Sequence, residues 1–239
     1  MRAFLIPLGS LITAIWLSVV PLTVAASVDQ RIRLAQSQDL DTWFEDDWEE
    51  RLRAVNEGEL EFLETPPDRR ALTTKNRLEL TPQSLTSGWV VLAQCQLDLD
   101  PLPAVEIVYR YEGMRGLRIA SSRGIGSAWV EGNTVQLADV SPGAEICIRA
   151  EVRILTATPD GGFEIRSGPF HRRFLDGYYP VHLEYIVAYP ADLLMIESVT
   201  PSPQPGLSIS RRPGIFSIDA WFEGKLTLVL RLRDIKASH

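Results

Sequence analysis

Residues 89–111 read WVVLAQCQLDLDPLPAVEIVYRY, two apolar runs on either side of a turn that contains two prolines. In each run, every second residue is apolar and lies on the same side of an extended chain. These positions are Trp89, Val91, Ala93, Cys95, Leu97 and Leu99 in the first run and Val105, Ile107, Tyr109 and Tyr111 in the second. Alternation with a period of two indicates a half-buried strand, so the stretch predicts two β-strands joined at 100–103.

The same pattern continues towards the end of the chain. Further strands are predicted at 117–120, 127–131, 135–140, 146–154, 181–189, 193–199, 215–222 and 226–232. Glycine-containing turns are predicted at 131–133 and 141–143, and the last two strands form a predicted hairpin around 223–225. Many short strands with regular turns predict antiparallel β-sandwich units. The sequence DVSPGA at 139–144, ahead of a long strand, resembles fibronectin type III and immunoglobulin-like sandwiches, and this resemblance implies architecture only.

Changes in composition divide the chain into four predicted segments. Residues 1–26 are a signal peptide, 27–74 an acidic helical arm with a linker, 75–158 a first β-sandwich domain and 159–239 a second β-rich domain. The prediction is therefore a mainly β protein preceded by one N-terminal amphipathic helix.

The first 26 residues are typical of a secretory leader. Arg2 precedes an uncharged run, Pro21 interrupts any helix, and small residues precede a predicted cleavage after Ala26. An uncleaved membrane anchor is the alternative, because an uncharged run from 3 to 26 is long enough to span a bilayer. Cleavage predicts a bacterial periplasmic or secreted protein that does not span the membrane.

Residues 27–74 hold the excess of acidic residues that gives the chain its net charge of −7. Apolar residues at three- and four-residue spacing predict a helix over 42–56, and its apolar stripe includes Trp43, Phe44, Trp48 and Leu52. One interpretation is an acidic arm that docks on a partner through this helix. The other is a helix that packs on the body of the protein with a solvated acidic face.

The chain contains two cysteines, Cys95 and Cys147, which are predicted to form a disulfide in an oxidising compartment. Cys95 shares a strand face with Trp89, whereas Cys147 alternates onto the face of Arg149 and Glu151. Two geometries remain open: a bulge turns one cysteine towards the core, or the bridge lies off the core.

Few residues are suited to catalysis. The histidines are His171, His182 and His239, and no third metal ligand accompanies His182 and Glu184 in the sequence. The chain has no Gly-x-Ser-x-Gly nucleophile elbow, and the glycine- and serine-rich stretch 121–127 is predicted to be a hairpin loop. The sequence therefore predicts no metal, no cofactor and no enzyme, and the acidic balance argues against a nucleic-acid partner.

The stretch 170–180, FHRRFLDGYYP, concentrates aromatic and basic residues between the two β-regions. The residues of a candidate binding loop for an acidic or carbohydrate ligand are His171, Arg172, Arg173, Asp176, Tyr178 and Tyr179. The alternative is a junction between domains that buries the aromatic rings.

Three functions are compatible with these features. We expect a non-enzymatic secreted or periplasmic protein that acts as an interaction or assembly subunit for a protein partner in the cell envelope. The first alternative is a carbohydrate- or small-ligand-binding module, for which Trp129 and Trp221 are candidate stacking platforms. The second is a hydrolase at the domain junction that uses His171 or His182.

Overall fold

The computed structural model of the chain describes residues 56–67 and 71–236, all within one compact unit, Val55–His239. The predicted leader, and the predicted docking residues Trp43, Phe44, Trp48 and Leu52, lie outside the described residues. Within the described ranges, no helix has the length and apolar character needed to cross a bilayer.

The described residues are mainly β, as predicted, with fifteen strands and one short helix, α1 (Ser84–Ser87). The strands are β1 (Glu61–Phe62), β2 (Leu72–Glu79), β3 (Trp89–Leu99), β4 (Ala104–Val108), β5 (Met114–Glu131), β6 (Thr134–Arg153), β7 (Leu155–Ala157), β8 (Phe163–Phe170), β9 (Arg172–Phe174), β10 (Gly177–Tyr179), β11 (Val181–Ala188), β12 (Leu194–Thr200), β13 (Leu207–Arg212), β14 (Ile215–Glu223) and β15 (Leu226–Asp234).

Three sheets contain these strands. The large sheet has the order β1–β14–β11–β2–β3–β6–β4, with β13 also paired to β14 and β5 also paired to β6. The small sheet has the order β12–β15–β8–β7, and β9 and β10 form a separate two-stranded sheet. Within the large sheet β11 and β2 run parallel, so strands of the 75–158 and 159–239 segments pair directly. The division into domains stays a prediction.

One hydrophobic core joins the large and small sheets. The large sheet contributes residues such as Leu92, Ile148 and Phe216, and the small sheet contributes Ile165 and Leu230, all of them almost fully buried. The core therefore lies between the two sheets, and the other face of the large sheet, which we call the outer face, points away from it.

The sequence suggested that the side of β3 with Trp89, Val91 and Ala93 faces the core, but the structure turns the other side inward. Val90, Leu92 and Gln94 are buried, whereas Trp89 and Val91 are only half-buried on the outer face. A register shift between Gln96 and Leu99, where Asp98 has a φ of 56°, then turns Leu99 into the core. Because apolar side chains occupy both faces of β3, alternation alone did not identify the buried one.

Strands β5 and β6 form one long hairpin instead of the four short strands that the sequence suggested. The predicted turn at 131–133 is confirmed between the two strands. The predicted loop at 121–127 is wrong because these residues belong to β5, and the predicted turn at 141–143 lies inside β6. Between Arg123 and Ile125 of β5, the paired residue of β6 changes from Glu145 to Val140, so the register shifts at a bulge. Gly124 lies at this bulge with a φ of +71°, which a glycine adopts readily, and β5 continues past it.

The predicted hairpin around 223–225 is also wrong, because β14 belongs to the large sheet and β15 to the small one. The chain therefore crosses from one sheet to the other at Gly224, whose φ is +81°. A Cβ atom at this position would overlap the carbonyl oxygen of Glu59, so the glycine allows the 56–63 segment to lie against the crossing.

Candidate functional site

A cleft of about 320 Å³ opens between the end of β3, strand β4 with the residues that follow it, and the segment 168–174. We call this space the cleft. Its volume is at the lower end of the range for pockets that hold small ligands. Apolar side chains form much of its wall, namely Leu72, Leu99, Leu102, Val105 and Ile107.

The base of the cleft is a hydrogen-bonded cluster, which we call the polar floor, made of Thr74, Asn76, Gln94, Gln96 and Tyr109. The Tyr109 hydroxyl donates to Gln94 Oε1 at 3.1 Å, and Gln94 Nε2 donates to Asn76 Oδ1 at 3.0 Å. Thr74 Oγ1 donates to Gln96 Oε1 at 3.0 Å. All five except Asn76 line the cleft, so a ligand there would meet amide and hydroxyl groups.

The polar floor exists because β2 and β3 place polar residues at inward positions. In β2, Thr74 and Asn76 point inward like Leu78, and in β3 Gln94 does the same as Leu92. Burial of such groups is unfavourable unless hydrogen bonds replace the lost water. The network supplies those bonds for most of the polar atoms.

Asn76 is the exception within this network. The residue is 1% exposed, and its Nδ2 is the one buried side-chain polar atom of the described residues that has no hydrogen-bond partner. An unmet buried donor costs on the order of 1–3 kcal/mol of stability. The polar floor therefore retains hydrogen-bonding capacity that the protein itself does not use.

A bidentate ion pair fixes one wall of the cleft. Arg172 in β9 donates from Nε to Asp100 Oδ2 at 2.9 Å and from its terminal nitrogen to Asp100 Oδ1 at 2.5 Å. The side chains are 14% and 30% exposed, so the pair is more shielded from solvent than a typical surface ion pair. Because 72 residues separate the partners, this contact ties β9 to the turn after β3.

The rest of the predicted binding loop forms the β9–β10 hairpin. The guanidinium of Arg173 lies 5.6 Å from the ring centre of Tyr178, and the Tyr179 hydroxyl donates to Asp176 Oδ2 at 2.6 Å. Of the six predicted residues, the cleft lining includes His171, Arg172 and Arg173 but not Asp176, Tyr178 and Tyr179. Whether these residues bind a ligand stays a prediction.

The rim of the cleft is electropositive around His171. Partial burial lowers the pKa of His171, the carbonyl of Pro169 acts in the opposite direction, and the cations Arg110, Lys225 and Arg173 lower it further. No carboxylate of the described residues pairs with Arg110 or Arg173, both of which line the cleft. An anionic group at this rim would therefore be attracted.

Buried tyrosines lie close to the cleft. Burial raises the pKa of Tyr111, which lines the cleft, to about 12, and it raises the pKa of the fully buried Tyr185 well above its ordinary range. The Tyr185 hydroxyl is 2.7 Å from Ser167 Oγ, and the Tyr185 and Phe170 rings form a T-shaped pair with their centres 6.0 Å apart. These contacts couple the 168–174 wall to the core.

The second candidate histidine lies elsewhere. His182, on the outer face of the large sheet, contacts Asp219 Oδ2 at 3.0 Å and stacks on Trp221 at 4.4 Å. His171 lines the cleft, so the structure does not bring the two histidines together. Nowhere in the described ranges do three His, Cys, Asp or Glu residues cluster closely enough to hold a metal ion.

The two tryptophans named as stacking platforms differ in exposure. Trp129 in β5 is 47% exposed, whereas Trp221 is half-buried and covered by His182. Of the two, only Trp129 therefore presents a large free surface.

The predicted disulfide is present between Cys95 and Cys147, with an S–S distance of 2.08 Å. The cysteines are directly opposite each other on β3 and β6, and both are half-buried on the outer face. The second of the two predicted geometries is therefore the one observed, and the bridge joins neighbouring strands off the core.

Sequence reasoning did not find the polar floor. The available signal was the occurrence of polar residues at alternate positions, Thr74 with Asn76 and Gln94 with Gln96, on two strands. It becomes visible only with the antiparallel register, in which Thr74 lies opposite Gln96 and Asn76 opposite Gln94.

The sequence matches no protein-family model and no curated protein. Among solved structures, a mutant M1 zinc metallopeptidase from Deinococcus radiodurans bound to a Tyr-Ser-Ala substrate is similar at a TM-score of 0.39 and 11% identity. A two-domain M1 zinc metallopeptidase mutant bound to L-tryptophan is similar at a TM-score of 0.38 and 14% identity. In both cases the similarity covers 69% of this chain and 43% of the other, less than half of the metallopeptidase. Similarity at this level assigns the chain neither a family nor an activity.

Proposed function

We propose that this chain is a non-enzymatic interaction protein that binds an extended segment of a cell-envelope protein partner in the cleft. The polar floor carries this proposal, because it places the amide and hydroxyl groups of Thr74, Gln94, Gln96 and Tyr109 beneath apolar walls. The role is that of an accessory or assembly subunit.

The chemistry of the cleft favours a polypeptide ligand. Side-chain amides such as Gln94 and Gln96 offer the same donor and acceptor groups as a peptide backbone, and can therefore pair with one. The aliphatic wall accommodates an apolar side chain, and the cations Arg110 and Arg173 attract an acidic side chain or a terminal carboxylate.

A sugar is a weaker match to the cleft. Carbohydrate sites commonly use an aromatic face that is free to stack on the ring, but the phenylalanines of the cleft are engaged. Phe170 forms a T-shaped pair with Tyr185, and Phe174 forms one with Tyr179 at 5.2 Å and has Arg172 over its ring. The exposed Trp129 favours carbohydrate binding as a second candidate function, at a site outside the cleft lining.

The compartment and the finer architecture belong to the same proposal. Residues 1–26 direct export, and the protein functions in the periplasm or outside the cell, where the Cys95–Cys147 disulfide is stable. The sheets that share one core support a sandwich architecture of the immunoglobulin or fibronectin type III kind. N-terminal sequencing of the exported protein tests cleavage after Ala26.

The experiment is recovery of the tagged, cross-linked protein from its native cells, with mass spectrometry of what accompanies it. The cleft variant combines Gln96→Leu with Arg110→Glu, and Trp129→Ala is the control outside the cleft. We expect one envelope protein in stoichiometric amount with wild type and Trp129→Ala, and at least about tenfold less with the cleft variant. Equal recovery with all three proteins would contradict cleft binding.

The second candidate function is tested on the same proteins with a glycan array. Glycan binding that Trp129→Ala abolishes and the cleft variant retains would favour the carbohydrate-binding function. Thermal unfolding of each variant verifies that the fold is intact.

A further inference from the structure

Two arginines lie side by side on the outer face of the large sheet, on the opposite face from the polar floor. Arg118 in β5 is directly opposite Arg149 in β6, and both side chains are exposed. We call them the arginine pair. Neighbouring strands are about 4.8 Å apart, so their guanidinium groups can reach a common point.

The arginines on either side of the arginine pair in β5 already have glutamate partners. On the same two strands, Arg115 pairs with Glu151 at 2.5 Å and Arg123 pairs with Glu145 at 2.5 Å. No carboxylate of the described residues pairs with Arg118 or Arg149. Like charges directly opposite each other destabilise a sheet, so among the described residues the bare pair is an unfavourable arrangement.

The row that contains the arginine pair has no acidic residue. Across the sheet it runs Arg118, Arg149, Ala93 and Arg77, and Arg77 turns to Glu79 of its own strand. Each flanking arginine of β5, by contrast, meets a glutamate across the strand pair. A carboxylate from outside the described residues would complete the pattern at the arginine pair.

We infer that the arginine pair is a docking site for an acidic segment of a protein partner, and that it is separate from the cleft. Two guanidinium groups can hold one carboxylate through several charge-assisted hydrogen bonds. β5 has three register shifts along its pairing with β6, at Arg115/Arg118, Ile119/Ser121 and Arg123/Ile125. Bulged edges resist the addition of a strand, so the partner contacts this edge through its side chains.

The test measures fluorescence anisotropy of a labelled oligoglutamate peptide with the full chain at low salt. The test variant is Arg118→Gln/Arg149→Gln. The matched control is Arg211→Gln/Arg212→Gln, which removes the same charge from two exposed arginines that point to opposite faces because they are consecutive in β13. Thermal unfolding verifies that both variants keep the wild-type fold.

We expect the test variant to bind the peptide about tenfold more weakly and the control to remain within about twofold of wild type. An equal loss of binding in both variants would mean that net charge alone causes the effect, and this would overturn the proposal. Unchanged binding by the test variant would overturn it as well. Binding to phosphatidylglycerol vesicles in place of the peptide would also overturn it, because the partner would then be a lipid surface. The cleft residues are unchanged in these proteins, so neither result affects the separate test of cleft binding.

Discussion

At the scale of single residues, buried polar side chains distinguish the described part of this chain. The polar floor and the Tyr185–Ser167 contact place hydroxyl and amide groups where a sheet normally places hydrocarbon. Apart from the Asn76 side-chain nitrogen, each group is tolerated because another satisfies it, so the network acts as a unit. Replacing both partners of a contact should therefore cost less stability than the sum of the two single replacements.

The contact between Tyr185 and Ser167 tests this coupling directly. Ser167→Ala leaves the buried Tyr185 hydroxyl without its partner and should lower the free energy of unfolding by about 1–3 kcal/mol. Tyr185→Phe should have a smaller effect, and the double variant should lose less than the sum of the two. Urea denaturation of all four proteins measures the coupling, and strictly additive losses would contradict it.

The buried tyrosines also predict a dependence of stability on alkaline pH. Burial raises the pKa values of Tyr185 and Tyr109 above 10, so the unfolded chain releases these protons before the folded one does. The free energy of unfolding should be unaffected by these groups near neutral pH and fall as pH rises above about 10. Denaturation at several pH values measures this, and Tyr185→Phe should reduce the slope. A slope identical to that of wild type would contradict the assignment.

At the scale of elements, the 56–63 segment lies so close to the backbone at Gly224 that a side chain there would overlap Glu59. Gly224→Ala would combine an unfavourable positive φ with overlap onto Glu59. Gly132→Ala is the matched control, because Gly132 also has a positive φ, of +59°, but a Cβ there meets nothing within 4 Å. The Gly132 variant should lose about 1 kcal/mol of stability, and the Gly224 variant at least about 2 kcal/mol more.

Thermal unfolding and hydrogen exchange measure the two glycine variants. Loss of protection in β1 with Gly224→Ala but not with Gly132→Ala would locate the effect at the crossing. Equal destabilisation would mean that φ strain alone is responsible.

The disulfide between β3 and β6 leads to a further prediction about stability. Cys95 and Cys147 close a loop with a sequence separation of 52, for which loop-closure entropy predicts a stabilisation of about 4 kcal/mol. Cys95→Ala/Cys147→Ala should therefore unfold at lower urea concentration. Wild type treated with reductant should behave like this variant, whereas an unchanged midpoint would show that the bridge contributes little.

The elements were predictable where the signal is local. The Gly132 turn and the alternation of 181–189 depend on neighbouring residues, and both appear in the structure. The continuity of β5 was not predictable, because a glycine that ends one strand and a glycine that forms a bulge in another, such as Gly124, look alike in a sequence. Similarly, alternation in β14 and β15 does not indicate which sheet each strand joins.

At the scale of the whole molecule, the cleft depends on long-range placement. Asp100 and Arg172 are 72 residues apart, and the floor residues Asn76 and Gln94 are 18 apart. The sequence singled out His171, Arg172 and Arg173 as part of a candidate binding loop because of their unusual composition, and these three residues line the cleft. It did not identify the polar floor, because threonine, asparagine and glutamine are ordinary strand-surface residues until the register places them inside.

The architecture also relates the two proposed interactions to each other. The polar floor occupies the inner side of the large sheet and the arginine pair its outer face. Under the proposed function, a subunit with these two separate surfaces would be able to bridge two parts of an assembly. The variants proposed for one surface leave the other unchanged, so the two interactions are separable by experiment.

Site-specific photo-cross-linking in native cells tests the central claim, that a protein segment occupies the cleft. A photoreactive amino acid replaces Leu102, a half-buried residue of the cleft wall, and in a control replaces Met195, an exposed residue of β12 in the small sheet. Occupation of the cleft by a protein segment predicts a cross-link to one envelope protein from position 102, its loss when Gln96→Leu and Arg110→Glu are added, and none from position 195. Equal cross-linking from both positions, or a cross-link from position 102 that survives the cleft substitutions, would contradict it.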